Sequence, residues 1–362
     1  MTATAARGWD GPPPREVCIV MLSAIGDAVH VLPVASALKR AWPECRITWV
    51  IQAVPHTLVA GHPAIDDFVV FRRRRGWSAW RAFLELRQAI RGRSFDLLLG
   101  LQVYFKAGLV TALADARVKL GFDRARARDA QWLFTNRRIP AHAPQHVQDQ
   151  YFEFLDALGV DPHPVTWGLD LTAEERAAQG TFFDRLDRPT CAVVVGTSKP
   201  EKNWTVAGYA RLLEEIETEH GLRPVIVGGP SETERRLADE VIRLSGARVV
   251  NALGDDVRRL LWLLEGSALL VSPDTGPLHI ARALGTPVVG LYGYTDPKRT
   301  GPYRAFEDLV VDGYGEEGHR DGMGRVTVER VLDKVTLAMT KYGGLPAESH
   351  PEPEDDEGRD GT

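Results

Sequence analysis

The segment Val271-Ser-Pro-Asp-Thr-Gly-Pro-Leu-His-Ile-Ala-Arg-Ala-Leu-Gly-Thr-Pro-Val-Val-Gly-Leu-Tyr-Gly293 constrains the fold more than any other part of the chain. It reads as an apolar strand, a turn, a short helix and a second apolar strand, the repeating unit of a parallel sheet. Thr275 and Gly276 stand where strand gives way to helix, and Pro277 suits the first helical position. The N–H groups that open such a helix have no partners inside it. Together with the helix dipole they form a site for an anion such as a diphosphate. The segment therefore points to a nucleotide or sugar-nucleotide site.

The same alternation runs through most of the chain. Strands buried on both faces are expected at 17–22, 47–51, 68–71, 95–101 and 117–122, and helices at 28–42, 77–91 and 145–158. Pro33 falls in the second turn of the first of these helices, where it should bend the helix or tighten its start. An Asp-Pro-His-Pro break opens a linker at 161–171, after which the rhythm restarts. Strands follow at 191–196, 224–227, 248–250, 268–272 and 287–291, with helices at 173–186, 206–220, 232–244 and 256–265. A last helix covers 326–342. The length of 362 residues suits about two domains. The expected fold is α/β, with two doubly wound Rossmann-like domains at 15–164 and 172–325. Ligands in such sheets lie at the carboxyl ends of the strands, so the cleft between the domains is the expected site. Disorder is expected in the Gly- and Pro-rich residues 1–14 and in 347–362, which hold seven acidic residues against one Arg.

A net charge of −5 gives no overall bias toward nucleic acid, but it hides an asymmetry. Residues 72–138 hold 16 Lys and Arg against 5 Asp and Glu, a local balance of +11. Such a patch suits a phosphorylated acceptor or an anionic membrane surface; a solvated face laced with ion pairs accounts for part of it. Trp77 and Trp80 beside the run Arg72–Arg75 are assigned to the core of their helix, with an interfacial contact as the alternative. No nucleic-acid-reading module accompanies the patch. Cys18, Cys45 and Cys191 are widely spaced, as buried free thiols in a reducing compartment would be. No charged-then-apolar leader opens the chain, and no apolar run approaches the roughly 20 residues of a membrane span. The nearest, 97–114, is broken by Gln102 and Lys106.

Three strand-to-helix turns carry candidate chemistry. After the first strand, Gly26 permits a tight turn and Asp27 follows, either as a proton acceptor for an incoming hydroxyl or as a helix N-cap. His30, one turn on, orients a phosphate or is half-buried in its helix. In the second domain Gly196 precedes Thr197, Ser198, Lys199 and Lys202, groups that suit a diphosphate; the alternative is a solvated loop. Gly228-Gly-Pro-Ser-Glu232 would let a nucleotide approach the backbone, with Glu232 or Glu234 on ribose hydroxyls or simply exposed. Asp274 contacts substrate or fixes its own turn, and His279 faces ligand or sheet. No metal-ligand spacing, dinucleotide fingerprint, Walker-type phosphate loop or serine nucleophile elbow is present.

In this order, Ser23-Ala-Ile-Gly-Asp-Ala-Val-His-Val-Leu-Pro33, Gly196-Thr-Ser-Lys-Pro-Glu-Lys-Asn-Trp204, Asp274-Thr-Gly-Pro-Leu-His279 and Tyr292-Gly-Tyr-Thr-Asp-Pro297 resemble the lipopolysaccharide heptosyltransferases of glycosyltransferase family 9. The resemblance implies a GT-B fold and an inverting transfer of heptose from ADP-heptose to the inner core (Kdo-lipid A or heptose), with no metal or other cofactor. It implies that Asp27 is the base and that Lys202 assists at the diphosphate. Donor contacts then fall to Thr197, Ser198, Lys202, Glu232, Asp274, Thr275, Gly276, Pro277 and His279. The acceptor is expected at Ser23, Gly26, His30, Arg72, Arg75, Lys106 and Arg124. The final helix is expected to cross back onto the first domain. A cytoplasmic monomer is implied, in peripheral contact with an anionic inner membrane and a lipid-linked saccharide. The chain departs from many members in having Ala24 beside Ser23 and Thr205 after Trp204. Two further readings stay open: a family-9 transferase of another sugar for another cell-surface polysaccharide, and a sugar-nucleotide-binding protein without turnover.

Overall fold

A computed structural model describes residues 8–74, 76–316 and 322–343. Its first half builds a parallel sheet from β1 (Glu16–Val20), β2 (Arg46–Ile51), β3 (Asp67–Val70), β4 (Ser94–Gly100), β5 (Asp115–Gly121) and β6 (Arg137–Arg138), in the order β3-β2-β1-β4-β5-β6. The second half repeats the plan with β7 (Thr190–Val193), β8 (Arg223–Ile226), β9 (Val250–Asn251), β10 (Leu269–Pro273), β11 (Val288–Tyr292) and β12 (Val311–Asp312), in the order β12-β11-β10-β7-β8-β9. Taken from opposite edges, the two orders are the same. Each reverses beside its first strand, at β1/β4 and at β7/β10, and such switch points open crevices at the carboxyl edge.

The central strands are unbroken apolar runs because helices cover both faces. In β1, Val17 and Ile19 face α1 (Ile25–Ala41) and α5 (Val147–Asp156), while Cys18 and Val20 face α3 (Ala79–Ala89) and α4 (Phe105–Leu113). The three cysteines are buried free thiols. Burying such a strand on both sides contributes roughly 1.5–3 kcal/mol for each large aliphatic side chain.

Several elements differ from expectation for physical reasons. Helix α1 begins at Ile25, earlier than its apolar spacing suggested, so Pro33 sits in its interior rather than near its start. The helix runs on through residue 41 without a break. The apolar stretch 97–114 divides at Gln102 into the end of β4 and the whole of α4. Helix α2 (Ala53–Val59) was not expected; seven residues are too few to display a period. Residues 8–14, expected to be disordered, include a fixed segment: the N–H groups of Gly8 and Trp9 donate to the Ala157 and Leu158 carbonyls, and Trp9 packs on Trp42 at 6.1 Å. Residues 1–7 and the acidic stretch 347–362 lie outside the described residues. In the expected linker, Val165, Trp167, Leu169 and Leu171 are buried in alternation, so it is an extended strap with one apolar edge.

Helix α12 (Val328–Lys341) corrects an expectation outright. It packs on α7 (Val206–Thr218), β11 and β12, all in the second domain, through buried Val331, Val335 and Ala338. Trp204 Nε1 donates to the Val326 carbonyl, and Lys334 to that of Asp308. An apolar stripe announces that a helix packs, but not on which surface. The domains join elsewhere: α1 meets α10 (Gly276–Leu284), and α2 meets α9 (Val257–Glu265). The segment 301–304 docks on α5 through Tyr303 and Arg304.

Candidate active site

Both switch points open into one interdomain cleft with a cavity of about 760 Å³. The first domain contributes Ser23, Gly26, Asp27 and His30 from β1 into α1, and Gln52 and Val54 at the start of α2. The second contributes Thr197, Ser198 and Lys202 after β7, Gly228–Ser231 and Glu234 after β8, and Asp274–Pro277 with His279 after β10. The N-termini of α1 and α10 meet here with almost no clearance. A Cβ on Gly26 would lie 2.6 Å from His279 Cδ2, and one on Gly276 would lie 3.1 Å from Ile25 Cβ. Two glycines thus permit two positive helix ends to face one volume.

Asp27 is the third residue of α1, not its N-cap. Ala24 holds the cap position and has no side-chain acceptor; Asp27 Oδ2 reaches back to accept the Ala24 N–H at 2.8 Å. Tyr151 Oη donates to Oδ1 at 3.4 Å. Burial raises the Asp27 pKa above the usual carboxylate range; the Ala24 N–H, His279 and Tyr151 pull against it. The result is a carboxylate with enhanced proton affinity at the mouth of the first switch point. The loop before it is fixed by Gln102, which accepts from the Leu22 N–H and donates to the Ser23 carbonyl.

Asp274 is the hub of the opposite wall. Its Oδ2 accepts from Lys202 Nζ at 2.7 Å, Thr295 Oγ1 at 2.8 Å and Thr300 Oγ1 at 3.2 Å, while Oδ1 lies 3.5 Å from His279 Nε2. Lys202 also donates to the Asp274 carbonyl at 2.9 Å. Burial opposes the charge, yet His279 and Lys202 hold the Asp274 carboxyl well below the usual range. Asp274 therefore brings the lysine of the β7 loop to the start of α10. No side chain caps α10, since Thr275 Oγ1 donates to the Pro273 carbonyl, and the first amides stay available to an anion. Pro277 is the second residue of α10 rather than the first. Among the described residues, no group of three or more His, Cys, Asp or Glu is placed to hold a metal ion.

His30 is buried, bonded through Nδ1 to Gln148 Oε1 at 2.9 Å, and its ring lies 4.6 Å from that of His279. Burial and the neighbouring His279 and His146 push its pKa far below the ordinary imidazole value, so it is neutral at pH 7. Glu234, not Glu232, lines the cavity. Ser231 caps α8 (Glu232–Leu244), which places Glu234 at the third helical position, bonded to the Gly229 N–H and Ser231 Oγ. Glu232, at the first position, is exposed.

Of the expected acceptor residues, Ser23, Gly26 and His30 line the cavity, whereas Arg72, Lys106 and Arg124 do not. Arg75 lies outside the described residues. Those three follow β3, β4 and β5, on the same carboxyl edge as Asp27, and form a rim beyond the cleft. The rim is aromatic as well as basic. Trp77 is 97% exposed and Trp80 56%, against the expectation of core packing, and Leu84, Tyr104, Phe105 and Leu133 are exposed too. Helix α3 packs instead through Ala82 and Leu86, continued by Ile90 just past its end. Arg124 stacks on Trp132 at 4.0 Å and Arg128 on Tyr104 at 6.0 Å. Sequence reasoning missed Tyr151, Gln148, His146, Thr295 and Thr300, whose types and spacing match ordinary helix and turn residues.

The family model described as glycosyltransferase family 9 (heptosyltransferase) matches residues 83–320, about two thirds of the chain. The chain belongs to glycosyltransferase family 9. It is therefore a glycosyltransferase. Over 309 residues it is 31% identical to the lipopolysaccharide core heptosyltransferase OpsX of Haemophilus influenzae, covering 85% of this chain and 87% of that one. It is 30% identical to lipopolysaccharide heptosyltransferase 1 of Escherichia coli K12, covering 79% and 90%. Among solved structures, the family 9 transferase of Veillonella parvula superposes with a TM-score of 0.78 at 20% identity, over 90% of this chain and 97% of that one. The E. coli heptosyltransferase WaaC with ADP gives 0.72 at 23%, over 89% and 99%. Both share the GT-B arrangement of two doubly wound domains seen here.

Proposed function

We propose that this family 9 enzyme moves heptose from ADP-heptose to the inner core of lipopolysaccharide, onto Kdo-lipid A or a first heptose, with inversion and without a metal. The observation that carries the reading is the opposition of Asp27 to the Lys202–Asp274 pair and the open N-terminus of α10. Asp27 takes the proton of the acceptor hydroxyl as its oxygen attacks the anomeric carbon from the face opposite the diphosphate. Sugar transfer of this kind passes through an oxocarbenium-like state. The charge that grows on the departing diphosphate meets Lys202, the Thr275 and Gly276 amides and the α10 dipole. Thr197, Ser198 and Glu234 are the remaining donor contacts. A neutral His30 adds no charge at the acceptor side.

The sequence relatives are lipopolysaccharide heptosyltransferases, which supports the acceptor class, and the structure of WaaC with ADP supports the donor. The enzyme works as a monomer on the cytoplasmic face of the inner membrane, where the aromatic and basic rim meets anionic lipid. No helix among the described residues is long and apolar enough to cross a membrane.

Incubation with ADP-heptose and Kdo-lipid A, with the product analysed by mass and linkage, tests the reading. Transfer should fall by about 10²–10⁴ in Asp27→Ala, the usual range for loss of a general base, while ADP binding by calorimetry stays unchanged. Normal turnover by that variant would remove Asp27 from the mechanism. Transfer of a different sugar would favour another family 9 activity, and binding without turnover a non-catalytic role.

A further inference from the structure

Helix α5 touches both halves of the site within seven residues. At its start, His146 Nε2 donates to the Gly301 carbonyl of the second domain at 3.0 Å, while Nδ1 accepts the Gln148 N–H. Gln148, fully buried, donates to the His30 carbonyl and bonds the His30 ring, which ties α5 to α1. Asp149 accepts from Tyr303 Oη at 2.7 Å, with Arg304 3.9 Å away. Tyr151, 5% exposed, points its hydroxyl at Asp27 Oδ1. Phe152 packs edge-on against Tyr303 at 6.1 Å. Gly301 follows Thr300, whose hydroxyl donates to Asp274. A continuous chain of contacts therefore joins the donor loop to the carboxylate on the opposite wall.

We propose that Tyr151 is a positioning residue for the Asp27 carboxylate, and that the second domain holds its helix in place through Gly301 and Tyr303. The proposal rests on Asp27 being the base. Asp27 has two oxygens: Oδ2 is fixed by the Ala24 N–H, and Tyr151 fixes the plane by engaging Oδ1. Carboxylate orientation then depends on domain docking, so the base is aligned when the donor wall is in contact. Contacts that hold a reacting group to its working geometry act on turnover far more than on binding.

The test compares wild type with Tyr151→Phe, which keeps the ring and removes only the donor. Turnover should fall about tenfold with donor KM unchanged. Asp27 is faced by Tyr151 from α5, by His279 and Asp274 from the second domain, and by the Ala24 N–H of its own turn. Losing one donor to the carboxylate should move the acid limb of kcat/KM upward. Installing 3-fluorotyrosine at 151, a stronger donor of the same shape, should move it the other way. Tyr303→Phe should give a smaller fall that disappears in the Tyr151→Phe background, since residues acting in one chain are non-additive. The carboxyl carbon of Asp27, assigned by its loss in Asp27→Asn, should titrate higher in Tyr151→Phe. That NMR measurement needs no turnover, so it separates failure of this proposal from failure of the transfer reaction. An unmoved titration in both Tyr151 variants overturns the positioning role, and additive effects of Tyr151→Phe and Tyr303→Phe overturn the link to the second domain.

Discussion

Asp27 sits where burial disfavours its charged form, and that has a thermodynamic signature. Burial raises its folded pKa above the unfolded value, so its ionised form opposes folding. The favourable contribution is complete below the ordinary carboxylate range and is lost as pH rises through the raised folded value. Asp27→Asn should therefore melt at a higher temperature than wild type at pH 7–8, with the gap closing as pH falls toward about 4; a gap that fails to close on acidification would contradict this origin. Asp274 has the opposite sign. Its depressed pKa lends stability above the ordinary range that fades only in strong acid. Much of this site was legible residue by residue. Asp27, Thr197, Ser198, Lys202, Asp274 and His279 stand in short runs after apolar strands, where turn chemistry narrows what a side chain can do. Glu232 and Glu234 were not separable, because two positions in a first turn have the same composition but opposite directions. Tyr151 and Gln148 were invisible for a different reason. A buried polar residue on an amphipathic helix looks like any core position until its partner, more than a hundred residues away, is in place.

The elements that matter most are α1 and α10, whose first turns touch across the cleft. Their approach depends on Gly26, since a methyl group there would overlap the His279 ring, itself packed on His30. Gly26→Ala should therefore keep each domain folded but hold them apart. The expected outcome is a larger radius of gyration by X-ray scattering and a loss of turnover of about 10²-fold, the cost of an ångström-scale misplacement. A variant as compact and active as wild type would show that the helix ends can part freely. The strands were readable because unbroken apolar runs have few alternatives in a chain of this rhythm. Helix limits were less so: α1 gains its first turn from Ile25 and Gly26, neither of which signals a helix start. The destination of α12 was not encoded in its own stripe at all. It follows from Trp204, Asp308 and β12, which create the surface that α12 covers.

As a whole the molecule is polarised. The carboxyl edge of the first sheet carries Asp27 at its centre and, on the side of α3 and α4, exposed tryptophans among arginines. That edge suits the lipid-anchored acceptor proposed above, whose sugar would reach Asp27 while its chains stayed in the bilayer. Binding to vesicles containing anionic lipid should exceed binding to neutral ones, weaken with salt as surface attraction of about 1 kcal/mol per basic residue is screened, and drop in Trp77→Ser with Trp80→Ser. Transfer to a short soluble acceptor should be unaffected in that double variant; equal flotation of both proteins would dismiss the face as a lipid seat. The sequence showed the charge of this rim and its tryptophans, but whether they face outward depended on which stripe of α3 the sheet accepted. The two helix ends that share the cleft have one more consequence. Their pull is strongest on whatever bears the most negative charge, and after the sugar departs that species is the nucleoside diphosphate. The field that hastens bond breaking must then retard escape, so the spent nucleotide should compete with fresh donor, and the cycle should wait on separation of the two halves.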